Sequence, residues 1–266
     1  MKFVFEVVKE QILNLSLIFR LASYEIKSSY QMHYLGVIWQ FLNPLLLVTV
    51  YWLVFGLGLR GDRAVEGDSY FIWLIVGLIP FLFISPSITQ GSNSVYAKVN
   101  LVSKMKFPVS ILPSITIVSN LFNFFIMLIA VIIVLYFNNV FAGFYLLQLP
   151  YFLFATVFFL FAITLLCSTI SIIARDFQLL LQSIMRIMLY LTPILWDPSN
   201  LPTLEKILKL NPMYYLVEGY RYMLLGESWF FLDWRYTFYF WICNFVILFI
   251  GASLHVHFRK KFVDYL

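Results

Sequence analysis

The sequence predicts an all-α, polytopic membrane protein with six transmembrane helices. Three observations carry that reading. Of its 266 residues 62% are hydrophobic and only 12% charged; six charge-poor stretches are each long enough to cross a bilayer; and the first stretch of chain alternates charged and apolar positions at helical spacing. An ordinary soluble domain is about 45–50% apolar and about 25% charged. A chain this apolar would leave continuous greasy patches in water, so hydrocarbon must solvate it. Disorder, collagen and disulfide scaffolds are excluded too, because the chain is neither polar nor repetitive and Cys167 and Cys243 both lie inside apolar runs. The net charge of +5 would suggest nucleic acid on a soluble protein. Here its distribution matters instead, and no nucleic-acid partner is expected.

The elements follow in chain order within a single transmembrane domain, 1–266. Residues 1–36 read as an amphipathic helix at the cytoplasmic interface, since Glu6, Lys9, Glu10, Arg20, Glu25 and Lys27 interrupt Phe3, Val7, Ile12, Leu15 and Phe19. Those acids exclude the apolar core of a signal peptide. Residues 37–196 hold spans one to five, at 37–59, 70–91, 109–137, 149–174 and 177–196, and span six covers 234–258. Each supplies the roughly 20 residues that a hydrocarbon core about 30 Å thick requires. Pro44, Pro80, Pro86, Pro113, Pro150 and Pro193 fall within or near span ends and predict kinks.

Two connections carry structure of their own. In the inner one, from Ser92 to Phe107, Val95, Val99 and Val102 share a face with Lys98 elsewhere, which predicts a short surface helix stopping before Pro108. In the last outer one, 197–233, the apolar pieces Leu201 to Leu210 and Met213 to Leu225 are divided by Asn211-Pro212 and predict two short re-entrant helices. Residues 259–266 form a cytoplasmic tail. Lys and Arg concentrate in the segments joined to the N-terminus, including Lys98, Lys104, Lys106, Arg175, Arg259, Lys260 and Lys261, which puts both termini inside.

Chemistry is sparse. Spans one to four hold no Asp, Glu, Lys or Arg in their interiors, which argues against a proton-driven carrier, because ion and proton relays need such groups within the membrane. A membrane-embedded transferase would need convergent acids, histidines or a metal. His255 and His257 lie two apart on a helix, so their rings diverge; they read as interfacial polar residues, with no metal site. No glycine is followed by lysine, so the chain has no phosphate-binding P-loop. No catalytic residue or cofactor is expected in this chain, and any ATP must be bound by another.

Landmarks in register then resemble one family. Tyr24-Glu25-Ile26-Lys27-Ser28-Ser29-Tyr30 followed by Leu35-Gly36, Trp39 and Pro44; Leu101 to Pro108 with Pro113; Arg175-Asp176; Thr192-Pro193-Ile194-Leu195-Trp196; and Asn211-Pro212 with Arg221 and Gly226 together resemble the permease subunit of polysaccharide and teichoic acid ABC exporters, over essentially the whole chain. The resemblance implies the transmembrane domain of an ABC type-2 exporter in a bacterial cytoplasmic membrane. It implies a homodimer working with two copies of a cytoplasmic ABC ATPase that binds ATP and Mg, and an undecaprenyl-pyrophosphate-linked polymer moved outward. Within the family the sequence is most similar to wall teichoic acid translocation permeases, with O-antigen and capsule exporters next. A permease for a drug or small lipid is the rival.

Candidate residues follow. Arg186 stands about ten residues into span five, roughly 15 Å deep at 1.5 Å per residue; it faces substrate, or it snorkels or pairs structurally. Tyr30, Tyr34, Phe41, Val48, Trp52 and Phe55 lie along one side of the first helix and span, where flat rings suit a sliding polymer or form a lipid-facing belt. Tyr30, Tyr34 and Trp39 coincide with the family landmarks at the cytoplasmic access point. Arg20 and Lys27 beside it contact anionic lipid, worth about 1 kcal/mol each, or pyrophosphate. Val95, Lys98, Val99, Val102 and Lys104, with Arg175 and Asp176, offer a docking surface to the ATPase. Trp196, Tyr214, Tyr215, Tyr220, Arg221 and Trp229 read first as an interfacial belt, and the resemblance makes all but Trp229 an outer gate.

Overall fold

The computed structural model describes residues 2–31, 34, 36–60, 69–98, 107–259 and 262, with backbone alone at 30, 31, 37, 40, 41, 59 and 60. Among these residues the regular structure is entirely helical.

The N-terminal amphipathic segment forms two helices, α1 (Lys2–Leu13) and α2 (Leu15–Gln31), rather than one. The break is the single turn residue Asn14, whose side-chain amide donates to the Glu10 carbonyl at 2.8 Å, while the backbone ladder runs on through Ile18 N to Asn14 O at 2.9 Å. One side packs inward through Val7, Ile18 and Ala22; Phe3, Phe5, Ile12, Leu15 and Phe19 stay exposed. The exposed side is mixed, with Lys9 and Arg20 beside those apolar residues.

Gly36, at φ 48°, opens a 3-10 turn, Gly36–Ile38, into α3 (Trp39–Tyr51), and a π-helical stretch, Trp52–Arg60, continues it. The central helix is α4 (Tyr70–Ala97), capped by the Ser69 hydroxyl accepting from Ile72 N. It does not end at Gly91 to make way for a separate surface helix: it runs through Val95 to Ala97, since nothing from Ser92 onward breaks the helical ladder. Then come α5 (Leu112–Phe137) and α6 (Leu149–Ile173), each entered through a 3-10 turn and with proline in its first turn, where the missing N–H is harmless. Pro113 and Pro150 therefore start helices instead of kinking them. After α7 (Phe177–Leu191), the pair α8 (Pro202–Leu208) and α9 (Pro212–Leu225) follows the Asn211-Pro212 signal. The Asn211 side chain accepts from Met213 N at 3.0 Å, and Gly226, at φ 77°, ends α9 in the left-handed region that glycine tolerates. The last helix is α10 (Trp234–Phe258).

Among the described residues four helical stretches are long and apolar enough to cross a membrane: 70–97, 109–137, 143–173 and 234–258. The other two expected spans appear as the shorter apolar helices 42–58 and 177–191. Packing centres on α4, which lies against α5, α6 and α9, while α6 also packs on α10. A Cβ on Gly251 would sit 3.1 Å from the Leu166 backbone nitrogen, so glycine there lets α10 approach α6 closely. The outer flanks of α5 and α10 carry Phe122, Ile129, Phe238, Phe245 and Phe249 exposed. Those surfaces are what hydrocarbon would cover. At the end of the bundle carrying α1 and α2, Arg259 at the foot of α10 pairs with Glu6 and, at 2.9 Å, with Glu10. Glu10 also accepts from Ser110 Oγ at 2.5 Å, and Gln11 bonds Ser110 O and Ser114 Oγ at 2.9 and 2.8 Å.

Candidate functional site

Beside the α2–α3 junction lies a cavity of about 640 Å³. From α3 it takes Trp39, Asn43, Pro44 and Leu47; from α4, Leu82, Pro86 and Gln90; from α5, Thr116, Ser119, Asn120, Asn123 and Met127. Intervals of three and four keep each helix's contribution on one stripe. The last turns of α2 close it with Glu25, Ile26, Ser28 and Ser29. Asn120 Nδ2 donates to Gln90 Oε1 at 3.1 Å, bridging α5 and α4. Pro86 has no N–H, which frees the Leu82 carbonyl from its usual intrahelical donor. At the rim Glu25 pairs with Lys98. Such a volume falls within the roughly 300–1,000 Å³ usual for small-molecule sites, and its amides and hydroxyls both donate and accept hydrogen bonds.

A second feature is the outward face of α7. Leu181, Met185 and Leu189 are buried, and Gln178 anchors the first turn by accepting from Ser92 Oγ at 2.7 Å and donating to the Thr89 carbonyl at 2.8 Å. The opposite side exposes Leu179, Ser183, Arg186 and Tyr190 at helical spacing. Among the described residues no carboxylate pairs with Arg186. The helix is 15 residues long, or about 22 Å at 1.5 Å per residue, short of a hydrocarbon core about 30 Å thick.

The third feature is a buried cation. Arg221 on α9 is 1% exposed, pairs with Glu218 one turn earlier, donates through Nη2 to the Pro193 carbonyl at 2.8 Å, and lies with its guanidinium carbon 3.8 Å from the centre of the Trp73 ring. A Cβ on Gly77 would collide with the same guanidinium. Around it α9 buries Tyr214, Tyr215 and Tyr220, and Tyr220 meets Phe124, halfway along α5, at 5.6 Å between ring centres. Tyr151 and Tyr215 hydroxyls bond at 2.7 Å, and Thr156 donates to Tyr220 at 3.3 Å. Burial raises the pKa of the three α9 phenols, so they act as neutral hydrogen-bonding groups.

The family model for ABC-2 type transporters matches residues 16–225, from α2 through the end of α9. The chain belongs to the ABC-2 type transporter family. It is 26% identical over 208 residues to the O-antigen export system permease protein RfbA of Myxococcus xanthus, covering 77% of this chain and 78% of that one. It is 24% identical over 246 residues to the protein of the same name from Klebsiella pneumoniae, covering 91% and 92%, and a second Klebsiella sequence of that name is 23% identical over the same length.

Within this ABC-2 type membrane protein the expected access residues separate. Trp39 lines the cavity. Arg20, Lys27 and Tyr34 are exposed, and none of the three is among the lining residues. Val48, Trp52 and Phe55 turn toward the core, with Trp52 edge-on to Phe71 at 5.8 Å, because α3 leans that side on α4. The side chains of Tyr30 and Phe41 lie outside the described residues. Of the expected outer belt, Trp196 is half-buried and donates to the Tyr190 carbonyl at 2.9 Å, whereas Tyr214, Tyr215, Tyr220 and Arg221 are inside the bundle. Surface placement fails for them because α9 packs between α4 and α6.

The expected docking face also changes. Val95 is fully buried among Ile18, Ala22, Ile111, Leu112, Ile172 and Phe262, because α2 and the chain's end cover it, so it offers no groove contact to a partner. Lys98 is held by Glu25, and Val99, Val102 and Lys104 lie outside the described residues. Arg175 and Asp176 form the exposed turn between α6 and α7, with Arg175 5.3 Å from the centre of the Tyr96 ring. His255 is buried instead of interfacial, with Nδ1 3.2 Å from Thr169 Oγ1, while His257 is exposed. No group of metal-ligating side chains occurs among the described residues. The amides of the cavity escaped the sequence reading. Their signal was Gln90, Asn120 and Asn123 inside otherwise apolar spans.

Proposed function

We propose that this chain is the membrane subunit of an ATP-driven exporter of a lipid-linked polysaccharide. In this reading two copies pair and enclose a path, and two copies of a separate ABC ATPase bind ATP and Mg and drive it. Six spans keep both termini in the cytoplasm, and the polymer, carried on undecaprenyl pyrophosphate, leaves toward the outer face. The observation that carries the reading is Arg186, exposed on the outward face of a helix too short to span unaided. A guanidinium facing hydrocarbon is costly, whereas one facing a water-filled path between two copies is not. Family membership supports an ATPase partner, and the names of the relatives support polysaccharide as cargo.

Those names favour O-antigen over wall teichoic acid; the teichoic acid reading rests on the sequence resemblance alone. The outer-gate role passes from a surface belt to the buried α9, whose Tyr220 and Arg221 join α9 to α4, α5 and α6. Reconstitution in proteoliposomes with the cognate ATPase tests the whole reading. ATP-dependent movement of a lipid-linked glycan across the bilayer is expected. Movement by this chain alone, without any ATPase, would refute it.

A further inference from the structure

The cavity beside α2 sets a band of polar side chains into an apolar wall, and those polar side chains are nearly all uncharged. Gln90, Asn120, Asn123 and Asn43 supply amides, Ser119 and Thr116 hydroxyls, and the described lining includes no Lys or Arg. Among the described lining residues the one ionisable group is Glu25, an acid already paired with Lys98 at the rim. Lys98 offsets that carboxylate, so the described lining offers an anion no unpaired cation to hold it. A hydroxyl-rich neutral group would meet partners that donate and accept as it does. Trp39, Leu47 and Met127 complete the wall with the apolar surface that the C–H face of a sugar ring can cover.

We propose that this cavity binds an uncharged sugar head of a lipid-linked glycan, and that it does not hold the phosphate joining glycan to lipid. The inference rests on the export reading and deepens it. Counting from α2 at the access side, the lining reaches Asn123 and Met127 near the middle of α5, so a sugar held here has left the interface but stays within reach of its lipid anchor. Recognition is by uncharged hydrogen bonds, so it selects the presence of sugar hydroxyls rather than net charge.

The test uses the full chain in liposomes, with Cys167 and Cys243 replaced by alanine and Ser119→Cys as reporter of N-ethylmaleimide labelling. Thr116→Cys repeats the measurement from the neighbouring turn, and Ser253→Cys on α10 controls for effects on the bilayer. Three probes share one tail: octyl β-D-glucoside below its micelle concentration, octyl phosphate and octanol. The glucoside is expected to slow labelling about threefold when present at about twice its dissociation constant, with octyl phosphate and octanol leaving the rate unchanged. Asn120→Leu with Gln90→Leu should abolish that protection. Equal slowing by octanol, slowing by octyl phosphate, protection that survives the double leucine variant, or no protection at all would overturn the proposal. The readout needs neither ATPase nor transport. A complex that exports glycan without showing protection sinks the sugar site alone, and protection without ATP-driven export sinks the export reading alone.

Discussion

The guanidinium carbon of Arg221 lies 3.8 Å from the centre of the Trp73 ring, joining a helix from the last connection to the central helix of the bundle. With Glu218 and the Pro193 carbonyl it makes a charged cluster that is almost wholly dry. Removing one member of a buried ion pair costs about 3–5 kcal/mol, because the other charge stays in low dielectric. Arg221→Met is therefore expected to lower the melting temperature of the solubilised protein sharply, and Arg221→Met with Glu218→Gln to recover part of the loss. A thermal-shift series reads both, and a melting temperature unchanged by Arg221→Met would contradict the assignment.

Gly77 is the floor under that cation. Gly77→Ala should destabilise by about 1–3 kcal/mol, as overpacking does, because the added methyl meets the guanidinium. In an Arg221→Met background the methyl has room, so the two changes should cost less together than their sum. Strict additivity in a double-mutant cycle would show that the contact is not made.

Arg259 ties the foot of α10 to Glu6 and Glu10 on α1. These groups are partly exposed, and such pairs contribute about 0–1 kcal/mol each. Arg259→Gln should leave global melting nearly unchanged yet raise amide exchange in residues 2–13 several-fold relative to α4, since only the docked helix loses a partner. Hydrogen exchange with mass spectrometry checks it; uniform exchange changes across the bundle would count against the local tie.

If the proposed export reading holds, Arg186→Gln is expected to leave assembly and ATP hydrolysis by the complex intact while lowering glycan export by about tenfold, the size of one lost hydrogen bond to a charged group. Arg186→Lys, which keeps charge but not the planar fork, should fall between. Export at the wild-type rate in Arg186→Gln would remove the residue from the path.

Much of this architecture was legible because hydrocarbon imposes length and apolarity together: the four longest helices fall on the charge-poor stretches, and Asn211-Pro212 with Gly226 framed α9 through backbone chemistry that acts locally. What was illegible depended on contacts distant in sequence. Arg221 lay in a charged connection and read as surface; only the approach of Trp73 and Gly77, more than a hundred residues earlier, explains its burial. Val95 read as an open face for the same reason, since Phe262 and Ile18 that cover it come from opposite ends of the chain. The cavity was missed because Gln90 and Asn120 carry no charge, and a search keyed to ionised residues passes over amides that become informative only when two helices bring them within 3.1 Å.

The two N-terminal helices are strapped at both ends, by Arg259 on one side and by Lys98 holding Glu25 on the other, with the turn residue Asn14 between. The α1–α2 pair thus bridges the α4 tail and the α10 tail through an ion pair at each end, so breaking either pair would release one end of that bridge.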